Sequence, residues 1–567
     1  MAKKYLIIGG VAAGASAAAR LRRLDESAEI IMFEKGPYVS FSNCGLPYHL
    51  GGYIEPSEKL VLMTPEKFDK QYNIDARTLS EVVDIDKSNK LVTILNHATG
   101  EKYTENYDKL VVAVGAKPIV PPFGGLDSIE HFILRNVVDV EKIHKAVFSK
   151  EKVVKNVTVI GAGFIGIEVA ENLKERGFNV TIVEMANQIM RPFDYEMVKP
   201  LEKELLDHDI NLMLSEKVVS FESDKVLLES GRQIDTDLVV LSIGVAPDTA
   251  FLKNVGIELA KSGHILVNEN YQTSDNDIYA AGDAILVKNA ITGQDFNLPL
   301  AGPANKQGRL IADHINGKKT VNKGYIASSV IQIFEYTGAA TGLNEAWIKF
   351  HNLDIDYGVA YTAPFDRVSI MPNAEHVFTK ILFERNTGKL LGAQVVGKGI
   401  VDKRADVFAT AIKAGMTIED LQDLELCYAP PYSTGKDVVN HTGYVANNLR
   451  NGEFKQVPFT KVSDLVTKSA QVIDVREVAE TKRGLLNHSK NIPMSEIRNR
   501  LSELDKSKPV YVHCHTGQRS YNVALMLQQH GFDVYNIAGG YIMISYYYDT
   551  LERLTGEKSP FNKPNFN

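Results

Sequence analysis

Cysteine is scarce: three residues among 567, namely Cys44, Cys427 and Cys514. Three thiols over that length cannot form a disulfide framework, which excludes the small stapled secreted classes and favours a reducing cytoplasm. In that setting a lone cysteine is a candidate reactive group. Long apolar runs are also missing. No segment approaches the roughly 20 apolar residues of a membrane span. The stretch Tyr5-Leu6-Ile7-Ile8 is too short for a secretory leader and runs into a glycine turn, so it reads as a first strand. Excess charge of one sign is absent as well. The 63 Lys+Arg against 70 Asp+Glu leave a formal −7, with no ground for nucleic acid or a membrane surface as partner. No metal is expected. What remains is an ordinary composition, 44% hydrophobic and 23% charged, in a chain long enough for three or four domains.

What is present is two glycine turns, each between a strand and a helix. Lys4 to Ile8 is apolar and β-branched; Gly9-Gly10-Val11-Ala12-Ala13-Gly14 follows, then a small-residue helix from Ala15 to Leu24. A strand from Glu29 to Phe33 ends at Glu34. This is a βαβ unit whose acidic residue has the spacing of a dinucleotide fold. The glycines let a pyrophosphate approach a helix N-terminus, and the carboxylate can accept from a ribose hydroxyl. Val11 stands at the middle glycine. The second unit matches fully: strand Asn156 to Ile160, then Gly161-Ala162-Gly163-Phe164-Ile165-Gly166, and a helix from Ile167 to Glu175 with Gly177 as C-cap. Its second strand, Asn179 to Val183, ends at Glu184.

Two dinucleotide units in one chain point to electron transfer between two dinucleotides. Glu184 would repel a 2′-phosphate, so NADH is expected ahead of NADPH. Apolar strands at 110–116 and 238–247 each run into a glycine, Gly115 and Gly244. The segment Ile278 to Asp283 puts a carboxylate at the end of another strand. A helix is expected from about Pro303 to Ile315.

These motifs, in this order, resemble the flavoprotein disulfide reductases with two dinucleotide-binding folds, over residues 1 to about 450. The resemblance implies an α/β chain with an FAD-binding domain (1–150 and 251–320), an NAD(P)H-binding domain (151–250) and an α+β dimerisation domain (321–450), assembled as a homodimer. FAD would be held by Gly9, Gly14, Glu34 and Asp283, and the nicotinamide cofactor by Gly161, Gly163, Gly166 and Glu184.

One stretch distinguishes this chain, Ser40-Phe41-Ser42-Asn43-Cys44-Gly45-Leu46-Pro47-Tyr48-His49. Many reductases of this type use C-x-x-x-x-C. Here Tyr48 and His49 are the fourth and fifth residues after Cys44, so no local disulfide can form. Oxidised Cys44 must be a sulfenic acid, a persulfide or a mixed disulfide with a small thiol. The pattern is most similar to the coenzyme A disulfide reductase branch. That implies coenzyme A as substrate or tightly bound thiol, contacted by Ser16, Arg20, Arg23, Ser40, Asn43 and Lys436. It also implies that Tyr428 reaches the cysteine and flavin of the partner subunit. Arg20 and Arg23 can share a helix face and suit a phosphorylated nucleotide. Without the resemblance, Arg20, Arg22 and Arg23 read as a solvated basic helix end. Two departures bear on substrate. Ser369-Ile370-Met371-Pro372 stands where the branch has Tyr-Tyr-Pro, which removes a hydroxyl donor and puts coenzyme A disulfide behind the persulfide. Tyr72 replaces an expected lysine. Cys427 is read as packing.

From Gln456 the pattern changes. Two strands, Val472 to Glu477 with a terminal acid and the buried Pro509 to His513, precede Cys514-His515-Thr516-Gly517-Gln518-Arg519-Ser520. Consecutive N–H groups at a helix start can surround an anionic sulfur, and Arg519 adds a fixed positive charge. With four residues between cysteine and arginine, the segment from about 460 to 560 resembles a rhodanese domain with Cys514 catalytic. His515 stands where thiosulfate-using members commonly carry Arg or Lys.

The reading is an FAD-dependent, NAD(P)H-driven reductase of coenzyme A persulfide, related per- and polysulfides and coenzyme A disulfide. Cys44 is its redox centre, Tyr428 and Arg519 assist, and Cys514 handles sulfane sulfur. Its partners are small thiols, persulfides and coenzyme A. The enzymatic alternative is an NADH peroxidase or oxidase using a Cys44 sulfenic acid; those relatives place a histidine in the first glycine turn, where this chain has Ala12 and Ala13. The alternative of another class is a flavin-linked redox sensor or sulfur carrier.

Overall fold

The computed structural model describes residues 2–149 and 153–566. The expected boundary at 150/151 lies outside the described residues. The chain forms two compact units: Met1–Val183 with Lys217–Tyr325, and Glu184–Glu216 with Ile326–Asn567.

In the first unit a five-stranded parallel sheet has the order Ile278–Ala280, Lys109–Val112, Lys4–Ile8, Glu29–Phe33, Asp75–Arg77. Its strands other than the edge strand Asp75–Arg77 are buried on both faces, which explains their unbroken apolar runs. Helix Ala12–Leu24 starts three residues before the expected Ala15, inside the glycine turn itself. Gly14 permits this: a Cβ there would lie 1.9 Å from the Gly9 carbonyl oxygen. Helix Ala301–Ile315 packs on the same helix, and its Gly308 has room for no more than hydrogen, 2.2 Å being left to Ala13 O. The strand expected over 110–116 stops at Val112. The chain turns through Gly115 (φ +68°), and Ala116–Pro118 pairs antiparallel with Val245–Pro247. A second parallel sheet joins Asn179–Glu184, Asn156–Ile160, Leu238–Leu241 and His131–Ile133 in that order. Its last strand lies before residue 150 and has no clear sequence signal. Helix Phe164–Glu175 follows the second glycine turn, and Gly177 stops it at φ +91°.

The second unit holds two sheets. One is antiparallel, in the order Ser329–Ile333, Tyr336–Gly342, Leu390–Gly397, Val377–Glu384, Tyr357–Thr362. The other is parallel, in the order Lys455–Val457, Val534–Ile537, Val510–His513, Gln471–Asp474, Lys490–Asn491. Segment 184–216 belongs here for an ionic reason. Fully buried Lys380 places its Nζ 2.8 Å from Asp194 and 2.6 Å from Glu345, and also pairs with Glu196. Each carboxylate would be costly to bury alone; the shared ammonium offsets that cost.

Helix Gly540–Thr555 ties the C-terminal sheet to the rest of the unit. The Tyr546 and Tyr336 hydroxyls bond at 2.6 Å, Thr550 Oγ1 donates to Lys199 O at 3.2 Å, and Arg553 pairs with Asp207. No helix among the described residues is long and apolar enough to cross a membrane.

Candidate active site

The Cys44 stretch is folded by its small and apolar residues. Ser40 adopts φ +46° and its N–H donates to Gly10 O at 2.7 Å, fastening the loop to the first glycine turn. Phe41 bridges to Val61, and Gly45 packs so tightly that a Cβ would meet Leu60 Cδ2 at 2.9 Å. A 3₁₀ turn, Asn43–Gly45, leads into the short helix Leu46–Leu50, with proline accepted in its first turn. Gly45, Leu46, Pro47, His49 and Leu50 are buried, leaving Cys44 as the free, exposed side chain at the turn. The Asn43 side-chain amide donates to Arg135 O at 3.2 Å.

The surroundings of Cys44 are acidic. Partial burial pushes its thiol up, and the carboxylates of Glu168 and Asp283 push it further in the same direction. Burial alone raises the Glu168 carboxyl to about 7. Among the described residues no donor reaches either carboxylate. Glu168, on helix Phe164–Glu175, was missed in the sequence; its signal was an acid two positions past Gly166, between buried Ile167 and Val169.

The fit of two dinucleotides can be tested on these residues. Glu34 accepts from Gly10 N–H at 3.0 Å and Gly36 N–H at 2.9 Å, so its carboxylate is held beside the first glycine turn. The half-buried Asp283 carboxylate, raised by burial and without a donor, suits a polyhydroxyl chain. At the second turn a Cβ on Gly163 would meet nothing within 4 Å, so this glycine faces open space. No side chain caps the helix that follows, and its first N–H groups can meet a phosphate. Gly161 and Gly166 are buried beneath, and Glu184 accepts from Ala186 N–H at 2.8 Å. Both sites fit the groups expected of them.

The residues expected at coenzyme A are less uniform. Ser16 donates to Asn305 Oδ1 at 2.5 Å. Arg20 forks onto Asp313 Oδ1 at 2.6 and 2.9 Å, and only Arg23 of the basic cluster is exposed. The solvated basic end is therefore corrected: Arg22 is buried, donating to the carbonyls of Asp25, Glu26, Tyr72 and Asn73, where it closes a helix C-terminus against a neighbouring turn. In the second unit Tyr428 and Lys436 are exposed, with Lys436 Nζ 5.4 Å from the Tyr444 ring. Their loop is anchored by buried Asp437, which accepts from Arg404 at 2.8 Å and Ser433 at 2.6 Å. Cys427 is exposed in this loop, beyond the end of helix Ile418–Asp423, so its expected packing role is also corrected.

Cys514 has the opposite setting. It is buried after strand Val510–His513, and its Sγ accepts from Gly517 N–H at 3.1 Å and the Ser520 hydroxyl at 3.5 Å. Gly517, at φ +100°, makes the turn into helix Gln518–Gln529. Arg519 is not a free cation. It forks onto Glu480 at 2.6 and 2.7 Å, and this pair holds the Glu480 carboxyl below its usual range. Buried Arg476 is likewise matched by Asp474 at 2.7 Å.

Residues 3–308 match the family described as pyridine nucleotide-disulphide oxidoreductase, 328–438 its dimerisation domain, and 460–542 the rhodanese-like domain. A coenzyme A disulfide reductase of Staphylococcus haemolyticus (strain JCSC1435) is 34% identical over 449 residues, 79% of this chain and 100% of that protein. The reduced Bacillus anthracis protein named CoADR-RHD is 46% identical, with a TM-score of 0.93 over 98% of this chain and 99% of that one. An NAD-dependent persulfide reductase from A. fulgidus is 35% identical, with a TM-score of 0.90 over 95% and 99%. With two dinucleotide turns, a solitary thiol and a second thiol loop already in place, these matches mean that the chain belongs to the pyridine nucleotide-disulphide oxidoreductase family and carries a C-terminal rhodanese-like domain.

Proposed function

We propose that this oxidoreductase is an FAD-dependent, NADH-preferring reductase of coenzyme A persulfide and related per- and polysulfides, with coenzyme A disulfide a lesser substrate. The observation that carries the reading is the exposed, unpaired Cys44, on a loop fastened to the first glycine turn. With no cysteine at the fourth or fifth position after it, its oxidised partner must arrive from solution.

The Cys44 thiolate attacks the inner sulfur of the persulfide. The substrate S–S bond breaks, hydrosulfide leaves and a Cys44–coenzyme A mixed disulfide forms, with no net redox change in that step. FAD and NAD(P)H, when bound, supply the two electrons that return this disulfide to two thiolates. Gly9, Gly14, Glu34 and Asp283 would hold the first cofactor, and Gly161, Gly163, Gly166 and Glu184 the second. Arg23, Ser40, Asn43 and Lys436 would bind coenzyme A, with Ser16 and Arg20 keeping their present partners or exchanging them for phosphate. Tyr428, more than half exposed, would meet substrate across a homodimer. Free thiols at all three cysteines support a reducing, cytoplasmic setting. Cys514 would collect sulfane sulfur as its own persulfide and pass it to a thiol.

Cys44→Ser tests the reading. NADH oxidation driven by coenzyme A persulfide should fall to background while flavin absorbance is retained. Turnover that survives the substitution would refute it.

A further inference from the structure

The Cys514 loop borrows its outer wall from another domain of the same unit. The Cys514 and His515 carbonyls accept from Tyr541 N–H at 2.8 Å and Ile542 N–H at 3.0 Å, which fixes the loop backbone on helix Gly540–Thr555. The His515 ring then meets His376 edge to face, centroids 5.7 Å apart. His376 is itself immobilised. It stacks on Phe365 at 3.9 Å, its Nδ1–H donates to Ala363 O at 2.9 Å, and a β-bridge joins Phe365 to His376.

The charges around this wall are balanced. Arg519 is matched by Glu480 and Arg476 by Asp474. His515 adds no cation, because its Nε2 is buried and no described group bonds to it; an imidazolium there would bury an unpaired N–H. Burial first, then His376 and Arg476, push the His515 imidazole down to about 4; Glu480 opposes them, and Arg519 adds a smaller push down. Burial also lowers His376. Both rings are therefore neutral at working pH. Near His376, Arg367 is matched by Asp366, and exposed Glu375 carries the wrong sign for an anion. With Arg519 and Arg476 each held by a carboxylate, a dianionic donor such as thiosulfate meets no uncompensated cation beside Cys514 among the described residues. The outer sulfur of an organic persulfide needs none.

We propose that His376 and Phe365 complete the Cys514 site, and that the neutral His515–His376 pair is its specificity filter, admitting thiol persulfides and disfavouring thiosulfate-type dianions. The inference rests on the reading of Cys514 as a sulfur-transfer centre. In the step it governs, the Cys514 thiolate attacks the outer sulfur of R–S–SH. The donor S–S bond breaks, R–S⁻ leaves, and Cys514–S–SH forms, so no oxidant or reductant is consumed. His376 acts here as a positioning residue, through His515.

The test is sulfur transfer to cyanide by the full-length holoenzyme without NADH, read as thiocyanate above the Cys514→Ser background. Glutathione persulfide and thiosulfate are the two donors. The parent should prefer the persulfide in kcat/KM. His515→Arg should raise the thiosulfate-to-persulfide ratio about tenfold or more. His376→Ala, which lets His515 hydrate and protonate, should raise that ratio as pH falls from 8 to 6, whereas His376→Phe, which keeps a neutral wall, should not. A ratio unchanged within twofold in His515→Arg and in folded His376→Ala overturns the filter, while the sulfur-transfer reading stands. Absence of Cys514-dependent transfer from either donor overturns that reading and the filter with it. NADH-driven persulfide reduction, measured alongside, reports separately on Cys44.

Discussion

Glu168→Gln should stabilise the protein in a pH-dependent way. The Glu168 carboxyl is half-buried and unpaired, and burial carries it from the ordinary glutamate value of 4.5 to about 7. At about 1.4 kcal/mol per pH unit, that displacement is worth about 3 kcal/mol. Its sign follows from proton binding in the two states. Below about 4.5 both the folded and the unfolded chain hold the proton, and the residue costs nothing. Between 4.5 and 7 the unfolded chain releases the proton first, so stability falls as pH rises. Above 7 the full penalty is present and constant. Glutamine keeps the shape and removes the ionisation. The variant should therefore match the parent near pH 4.5 and exceed it by up to about 3 kcal/mol at pH 8. Thermal unfolding of the two holoproteins across this range reads the difference as a gap in midpoint that opens with pH.

A second reading comes from the thiol. Glu168 is among the groups that raise Cys44, so glutamine should lower the Cys44 pKa. Peptide-resolved mass spectrometry of iodoacetamide labelling against pH separates Cys44 from exposed Cys427 and buried Cys514. A midpoint gap that is flat with pH, or a Cys44 labelling curve that stays put or moves up, would refute the reasoning.

Three further outcomes are expected. Asp474→Ala leaves Arg476 buried and unpaired, at a cost of about 3–5 kcal/mol; limited proteolysis should then cut the segment after residue 455 well before the rest of the chain. Tyr546→Phe removes the hydroxyl partner of Tyr336 and should cost about 1 kcal/mol, seen as earlier loss of the C-terminal domain in a urea series. Glu184→Ala removes an acceptor for a ribose hydroxyl and a charge opposed to a 2′-phosphate; the NADH-to-NADPH ratio of kcat/KM should fall about tenfold or more.

Local patterns carried much of this architecture. The parallel sheet at residues 4–8, 29–33 and 109–112 and the glycine-started helices were legible because buried parallel strands and close helix approach leave strict signatures. Strand His131–Ile133 was not, because three half-buried residues carry no period. The early start of helix Ala12–Leu24 escaped because small residues belong equally to a turn and a helix; Gly14 decides between them only through its 1.9 Å approach to Gly9 O. At the sites, Cys44 and Cys514 stood out by rarity. The groups that set their chemistry did not. Glu168, Glu480 and His376 lie 124, 34 and 138 positions from the thiol each one bears on, and only tertiary packing brings them near. Arg22 was misread for the same reason: its four carbonyl partners include two about 50 positions away.

The two thiols are set in opposite electrostatic surroundings, and this bears on which sulfur chemistry each can do. A thiolate at Cys44 faces the carboxylates of Glu168 and Asp283, both of which oppose its charge. Such a thiolate is scarce but strongly nucleophilic, since nucleophilicity rises with thiol pKa. Forming a mixed disulfide also removes the negative charge from beside the two acids, so attack relieves repulsion that the reduced state carries. At Cys514 the sulfur instead accepts from an amide and a hydroxyl, with the Arg519–Glu480 pair alongside. Those donors can stabilise a bound anionic sulfur without adding net charge. Cys44 is thus suited to attack and release, and Cys514 to hold a sulfur atom until an acceptor arrives. Exchanging either setting for the other, for example by an acid near Cys514, should weaken the chemistry of that thiol before it weakens the fold.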